Sequence, residues 1–149
     1  MLRVPLEDGV GAWYTFNLLG EKMPERSKIL IVDDDAAFTA LLKERLEHEQ
    51  YEVTVANSGE EALQKVDSFF PDLVLLDLKM PGLSGDLVAL RIKAKTKDRL
   101  PIIALTGYGD PLAVATTFAM GVSDHVVKPC DLEDLICRIE RCLMSPGSA

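Results

Sequence analysis

The sequence predicts a doubly wound α/β fold built as (βα)5 around a parallel five-stranded sheet. Three observations predict it. Short apolar runs recur along the chain from Lys28 onward. Segments of helical period stand between them. Three of the runs are apolar on both faces, as strands buried on both sides of a parallel sheet are.

The elements follow in order. Ile29-Leu30-Ile31-Val32 reads as the first strand, and Phe38, Leu41, Leu42 and Leu46 mark the apolar stripe of the first helix. Val53-Thr54-Val55 is more mixed, as suits an edge strand. Ser58 and Glu61 have capping-box spacing ahead of Ala62, Leu63 and Val66. Leu73-Val74-Leu75-Leu76 is a third strand, and Leu87, Leu90 and Ile92 mark a third helix after Gly85. Ile102-Ile103-Ala104-Leu105 is a fourth strand, followed by a helix over Pro111–Met120 that ends at Gly121. Val126-Val127 is the fifth. Asp131 then caps a last helix with the face Leu132, Leu135, Ile136, Ile139 and Leu143.

Residues 1–27 stand apart as an N-terminal extension with no clear period, 28–144 form the periodic unit, and 145–149 are a short polar tail. Two readings of the extension are open. Met23 is the native start, or Trp13, Tyr14 and Phe16 anchor a real docking segment. After Leu143 only Met144–Ala149 remain, so no DNA-binding module is expected within these residues.

Composition narrows the function classes. The 149 residues are 48% hydrophobic and 27% charged, which suits one soluble domain. The net charge of −8 argues against holding nucleic acid or a membrane by bulk electrostatics and permits a cation or a basic partner. Cys130, Cys137 and Cys142 lack CxxC spacing, and neither His48 nor His125 lies at ligand spacing from them, so a zinc site or disulfide framework is not expected. The N-terminus lacks the pattern of a signal peptide and no run is long enough to span a bilayer; the expected compartment is the cytoplasm.

Ligands in open α/β sheets bind outside the carboxyl ends of the strands. Asp33, Asp34 and Asp35 follow the first strand, Asp77 the third, Thr106 the fourth, and Lys128-Pro129 the fifth. Asp33, Asp34, Asp77 and Lys128 together leave two uncompensated negative charges. Two like charges about 4 Å apart repel by roughly 4 kcal/mol at an effective dielectric of 20, so such a cluster favours a cation. A hard ion with few carboxylates and several waters, Mg²⁺ more naturally than Ca²⁺, fits these oxygens and often accompanies phosphate. A carboxylate can then act as nucleophile toward phosphorus.

Ile31-Val32-Asp33-Asp34-Asp35, Leu75-Leu76-Asp77-Leu78-Lys79-Met80-Pro81-Gly82, Ala104-Leu105-Thr106-Gly107 and Val127-Lys128-Pro129 resemble the response-regulator receiver family, the CheY-like superfamily, over Lys28 to about Leu143. The four motifs stand in the family's order, with 43 residues from Asp34 to Asp77, 29 to Thr106 and 22 to Lys128. The resemblance implies the flavodoxin-like strand order 2-1-3-4-5. It implies that Asp77 is the phosphoacceptor and that Asp34, Asp77 and the Lys79 backbone carbonyl bind Mg²⁺ or Mn²⁺, with Asp33 acting mainly through water. Thr106 and Lys128 would contact the phosphoryl group, and the Lys128–Pro129 bond would be cis. From the residues alone, Asp35 reads as a helix N-cap.

Three positions vary within the family. Lys79, two past the phosphoacceptor, either lies over the phosphoryl group and slows water attack or is solvated; the solvated reading is preferred. Tyr108 either lines the mouth of the site or is a loop aromatic. His125, three before Lys128, stands where many receivers carry a Tyr or Phe rotamer switch. In this it is similar to receivers of hybrid histidine kinases. A pH-sensitive switch and a partly exposed interface residue are both open there, and the second is preferred.

The resemblance implies a two-component phosphorelay. The partner would be a histidine kinase or His-phosphotransfer domain. Output would pass to a downstream protein through the face of the receiver's fourth helix, fifth strand and fifth helix, where a homodimer is also open. Rival readings remain. A small-substrate phosphatase would need an acid/base Asp where Lys79 stands. A nucleotide-binding domain would need a Gly-rich loop where Asp33-Asp34-Asp35 would repel phosphate. A receiver-like module that is never phosphorylated, or a receiver cut from a hybrid kinase, also stays open. None of these makes the chain a turnover enzyme except the phosphatase.

Overall fold

The computed structural model describes residues 3–5, 13–16, 19–20, 22–107, 115 and 118–144, of which 3–5, 13–16 and 22–25 by backbone alone. The periodic unit comprises β4 (Lys28–Val32), α1 (Ala36–His48), β5 (Glu52–Ala56), α2 (Gly59–Phe69), β6 (Leu73–Asp77), α3 (Gly85–Thr96), β7 (Ile102–Thr106), β8 (Asp124–Val127) and α4 (Leu132–Met144). All five strands pair in parallel in the order β5-β4-β6-β7-β8, which is the predicted 2-1-3-4-5. The mixed run at Val53 lies in the edge strand β5, as expected.

Burial explains the strand sequences. β6 and β7 are buried at every position. One face of the sheet, with Leu30, Val74, Leu76 and Ala104, packs beneath Ala62, Val66, Val88 and Ile92 of α2 and α3. The other face, with Ile31, Leu75, Ile103 and Leu105, packs beneath Leu42 and Leu46 of α1 and Leu135, Ile136 and Ile139 of α4. Each fully buried Leu or Ile contributes roughly 1.5–3 kcal/mol, so the two clusters are the main source of stability.

The helix ends follow local chemistry. Asp35 caps α1 by accepting from the Phe38 N–H at 3.1 Å. Ser58 accepts from the Glu61 N–H at 3.1 Å, while the Glu61 carboxylate reaches back to the Asn57 N–H. Asp131 accepts from the Glu133 N–H at 2.9 Å ahead of α4.

Two predicted helix faces are corrected. Leu41 on α1 is 57% exposed, and on α3 Leu87 and Leu90 are 36% and 48% exposed. On α3 the buried stripe is Gly85, Val88, Ala89 and Ile92, spaced i, i+3, i+4 and i+7. Two glycines set that roll. A Cβ on Gly85 would stand 2.5 Å from the Leu78 Cα, and one on Gly59 would stand 2.6 Å from Val88 Cγ2. The small residues, not the leucines, face inward because backbone must approach closely there.

The extension is also more regular than its sequence indicated. β1 (Arg3–Pro5), β2 (Trp13–Phe16) and β3 (Lys22–Glu25) form an antiparallel sheet in that order. Its strands are three or four residues long, too short for an alternating pattern to show. Pro5 and Pro24 lie in the two edge strands, where a missing N–H is tolerated. Met23, the expected alternative start, pairs with Thr15 inside this sheet. The helix expected over Pro111–Met120 lies mostly outside the described residues, as does the tail 145–149; Phe118 and Ala119 are helical and Gly121 turns with φ +86°. Among the described residues no helix is long and apolar enough to cross a membrane.

Candidate functional site

The parallel sheet delivers its strand ends to one edge. Pairing of Asp77 with Leu105 and of Thr106 with Val127 staggers β6, β7 and β8 so that Asp77, Thr106 and Lys128 finish together. Asp33 follows β4 directly, held by its N–H to the Ala56 carbonyl at 3.1 Å.

Asp33 is wholly buried, Asp77 is 6% exposed, and Asp34 is exposed. One carboxylate oxygen from each lies within 4.8 Å of the others. The Lys128 ammonium contacts Asp33 Oδ2 and lies 3.7 Å from Asp77 Oδ2. Its Nζ also stands 4.4 Å above the Phe38 ring, an interaction that restrains a cation otherwise free to turn to water. The Lys128–Pro129 bond is cis, and the Lys128 N–H donates to the Thr106 carbonyl at 2.6 Å.

The two buried carboxylates are satisfied differently. Asp33 Oδ1 accepts from the Asp35 N–H at 3.0 Å and Oδ2 takes Lys128, so its lone pairs are largely engaged within the chain. Asp77 Oδ1 accepts from the Lys79 N–H at 3.0 Å. Burial and the negative charge of Asp33 push the Asp77 carboxyl above its ordinary range, against the pull of the Lys79 N–H and Lys128. For Lys128, burial works to lower the pKa, but the hydrogen bond and charge of Asp33, with Asp77 and Asp35 behind it, carry the net direction upward.

This arrangement suits a hard divalent cation: three oxygen donors converge, one of them exposed, and among the described residues one ammonium opposes them. The same edge offers a buried carboxylate nucleophile beside an ammonium and a hydroxyl, the parts needed to receive and hold a phosphoryl group.

Asp33, Asp34, Asp77 and Lys128 therefore lie together, and Thr106 ends the neighbouring strand at the same edge. Asp35 serves as the N-cap. The Lys79 side chain is exposed. Tyr108 lies outside the described residues. His125 is half-buried, and its Nε2 is 2.7 Å from Thr106 Oγ1. Three contributors escaped the sequence reading: the Phe38 ring under Lys128, Gly85 against the Asp77–Leu78 backbone, and Arg138, which grips Asp124 beside His125. The glycine spacing ahead of α3 was the one available signal; the other two pairings join distant segments.

Residues 29–140 match the response regulator receiver domain family. The chain is 37% identical over 117 residues to the phosphate regulon transcriptional regulatory protein PhoB of Rhizobium meliloti (strain 1021), covering 78% of this chain and 52% of that protein. It is 42% identical over 119 residues to the transcriptional regulatory protein CpxR of Escherichia coli (strain K12), covering 78% and 49%. The chain thus spans about half the length of these curated relatives. A receiver domain protein (CheY-like) from Methanospirillum hungatei JF-1 superposes with a TM-score of 0.76 at 31% identity, over 80% of this chain and 94% of that one.

Proposed function

The chain belongs to the response regulator receiver family of two-component systems, and from that premise we propose that it is a phosphoacceptor whose Asp77 takes a phosphoryl group from a phosphohistidine on a partner kinase or His-phosphotransfer domain. The observation that carries this reading is Asp77 itself: a buried carboxylate at a strand end, 3.7 Å from the Lys128 ammonium, with two further carboxylates beside it.

The step balances simply. An Asp77 oxygen bonds to phosphorus, the phosphorus–nitrogen bond of the donor breaks, and the imidazole leaves with a proton from water. Asp33, Asp34, Asp77 and the Lys79 carbonyl would hold Mg²⁺ or Mn²⁺, which supplies positive charge to the phosphoryl oxygens when bound. Lys128 holds a counter-charge at the nucleophile, and Thr106 offers a hydroxyl to a phosphoryl oxygen. Burial of Asp77 limits water, so the acyl phosphate is hydrolysed slowly and the protein is a switch, not a turnover enzyme.

Adding a phosphoryl group brings about −1.5 to −2 charge. Thr106 drawn inward would rearrange the face that includes β8 and α4, which we assign as the protein-contact output surface, in the cytoplasm. The transcriptional output of the relatives is assigned to the part of their length that this chain does not match. The test is incubation with Mg²⁺ and acetyl phosphate followed by intact mass measurement. One added phosphoryl group, lost in Asp77→Asn, is expected. No mass gain would leave an interaction module that is not phosphorylated.

A further inference from the structure

The amino ends of the strands form a second edge, away from Asp77. Ser27, Asp72 and Pro101 lead into β4, β6 and β7 there, and the last residues of α2, α3 and α4 lie beside them. Together they line a groove of about 500 Å³. That is room for a small ligand or for a few side chains of a partner. Leu100 and Leu143 in its lining are buried, while Phe70 is 70% exposed.

Phe70 is unusual twice over. It is a large exposed aromatic, and it closes α2 in the left-handed conformation, with φ 54° and ψ 60°, where glycine is preferred. The fold gains little from a ring held in water on a strained backbone, whereas a docking surface gains an anchor.

The charge of the groove is opposite to that of the chain. The chain carries −8, yet five of its 16 Lys and Arg lie between Arg91 and Arg99, with Asp98 the one acid among them. Of these, Lys95, Lys97 and Arg99 line the groove. Lys95 pairs with Asp67 at 2.5 Å, and among the described residues the Lys97 and Arg99 side chains have no ion-pair partner. Helix carbonyls do not claim them, although the carbonyl end of a helix attracts cations. The Phe69 carbonyl at the end of α2 takes the Lys28 ammonium at 3.3 Å. At the end of α3 the backbone N–H groups of Lys97 and Asp98 donate to the Ala94 and Lys93 carbonyls. One exposed cation is ordinary. Two beside an exposed ring and buried leucines make a matched set.

We propose that this groove docks an acidic segment of a partner protein, with one large apolar side chain of that segment against Phe70 and Leu100 and its carboxylates at Lys97 and Arg99. The inference does not depend on Asp77, which ends β6 at the opposite edge of the sheet. Its charged part is exposed, so salt weakens it.

The experiment titrates the full ¹⁵N-labelled chain with the synthetic peptide Asp-Glu-Phe-Asp-Glu and follows the amide resonances. Shifts are expected at Phe70, Lys97, Arg99 and Leu100, and they are expected to shrink with added salt. Replacing the peptide's Phe by Ser, or its acids by Lys, is expected to abolish them. The double variant Lys97→Glu, Arg99→Glu is expected to bind about tenfold more weakly, as the loss of two exposed ion pairs implies. Phe70→Gly removes the ring but suits the left-handed backbone, so it is expected to weaken binding without lowering Tm. Absent groove shifts, or unchanged binding in either variant, overturn the inference. So do the same shifts from inorganic phosphate alone, which mark a simple anion site. Groove shifts on concentrating the chain without peptide overturn it in favour of a second copy. A moved Trp13 indole resonance overturns it in favour of the chain's own extension.

Discussion

Lys28 and Asp33 stand at opposite ends of one strand, and their surroundings differ in kind. At the start of β4 the Lys28 N–H donates to Asp72 Oδ2 at 2.8 Å, while its ammonium reaches the Phe69 carbonyl at 3.3 Å and stands 5.4 Å above the Phe69 ring. At the same edge of the sheet the buried Lys93 ammonium donates to the Leu100 carbonyl at 2.9 Å. These polar groups are matched within the chain. At the far end three carboxylates gather, two of them at one ammonium, and burial holds the Asp77 carboxyl above its ordinary range. At one end of the sheet the buried and half-buried charged groups are matched within the chain. The other keeps a surplus of negative charge, which suits a bound cation.

The largest effect that tests this contrast is expected from Lys128→Met. It strands the buried Asp33 beside Asp77, and metal-free stability should fall by about 3–5 kcal/mol in urea titration. A loss below about 1 kcal/mol would mean that the two ends are not different.

Asp77→Asn is expected to act in the opposite direction, stabilising the metal-free chain by about 1–2 kcal/mol at pH 7. Its pH dependence has a definite sign. A carboxyl held above its ordinary value of 3.8 binds its proton more tightly in the folded chain than in the unfolded one. The stability it lends is complete below that value and is lost as pH rises through the raised one. The advantage of Asp77→Asn over the original chain should therefore grow from about pH 4 upward and then level off. A gap that narrows across that window counts against the surplus-charge reading.

Mg²⁺ at about ten times its Kd should stabilise the original chain by about 1.4 kcal/mol, visible as a raised Tm. The smallest effect is expected at the end where Lys28 and Lys93 are matched. Asp72→Ala removes an acceptor from Lys28 and should cost about 1 kcal/mol, with the Mg²⁺ response intact. Loss of that response would show that the two ends are coupled.

The sheet and the site were legible because both depend on local sequence. Runs apolar on both faces can be buried only between two helical layers, and a residue just past such a run must lie at the carboxyl edge. That places Asp33, Asp77, Thr106 and Lys128 together without knowledge of any contact. The helix faces were less legible. On α3 the leucines suggested one stripe, while close approach at Gly59 and Gly85 selected another. The short antiparallel strands of residues 3–25 carry too few residues for a period. The bonds from Thr106 to His125 and from Asp124 to Arg138 depend on side-chain direction after packing, which sequence spacing does not encode.

The two tight glycine contacts have a mechanical consequence. Gly59 seats α2 against Val88 of α3, and Gly85 seats the start of α3 on the backbone that carries Asp77. A helix seated so closely that not even a methyl group fits at the contact has no room to slide, because interiors are already close-packed. That flank acts as the stator of the molecule. If Asp77 is phosphorylated as proposed, displacement begun there would be turned toward the opposite flank, where β8 is an edge strand paired, among the described residues, only with β7. A methyl group added at either glycine would jam the stator before it touched the charge.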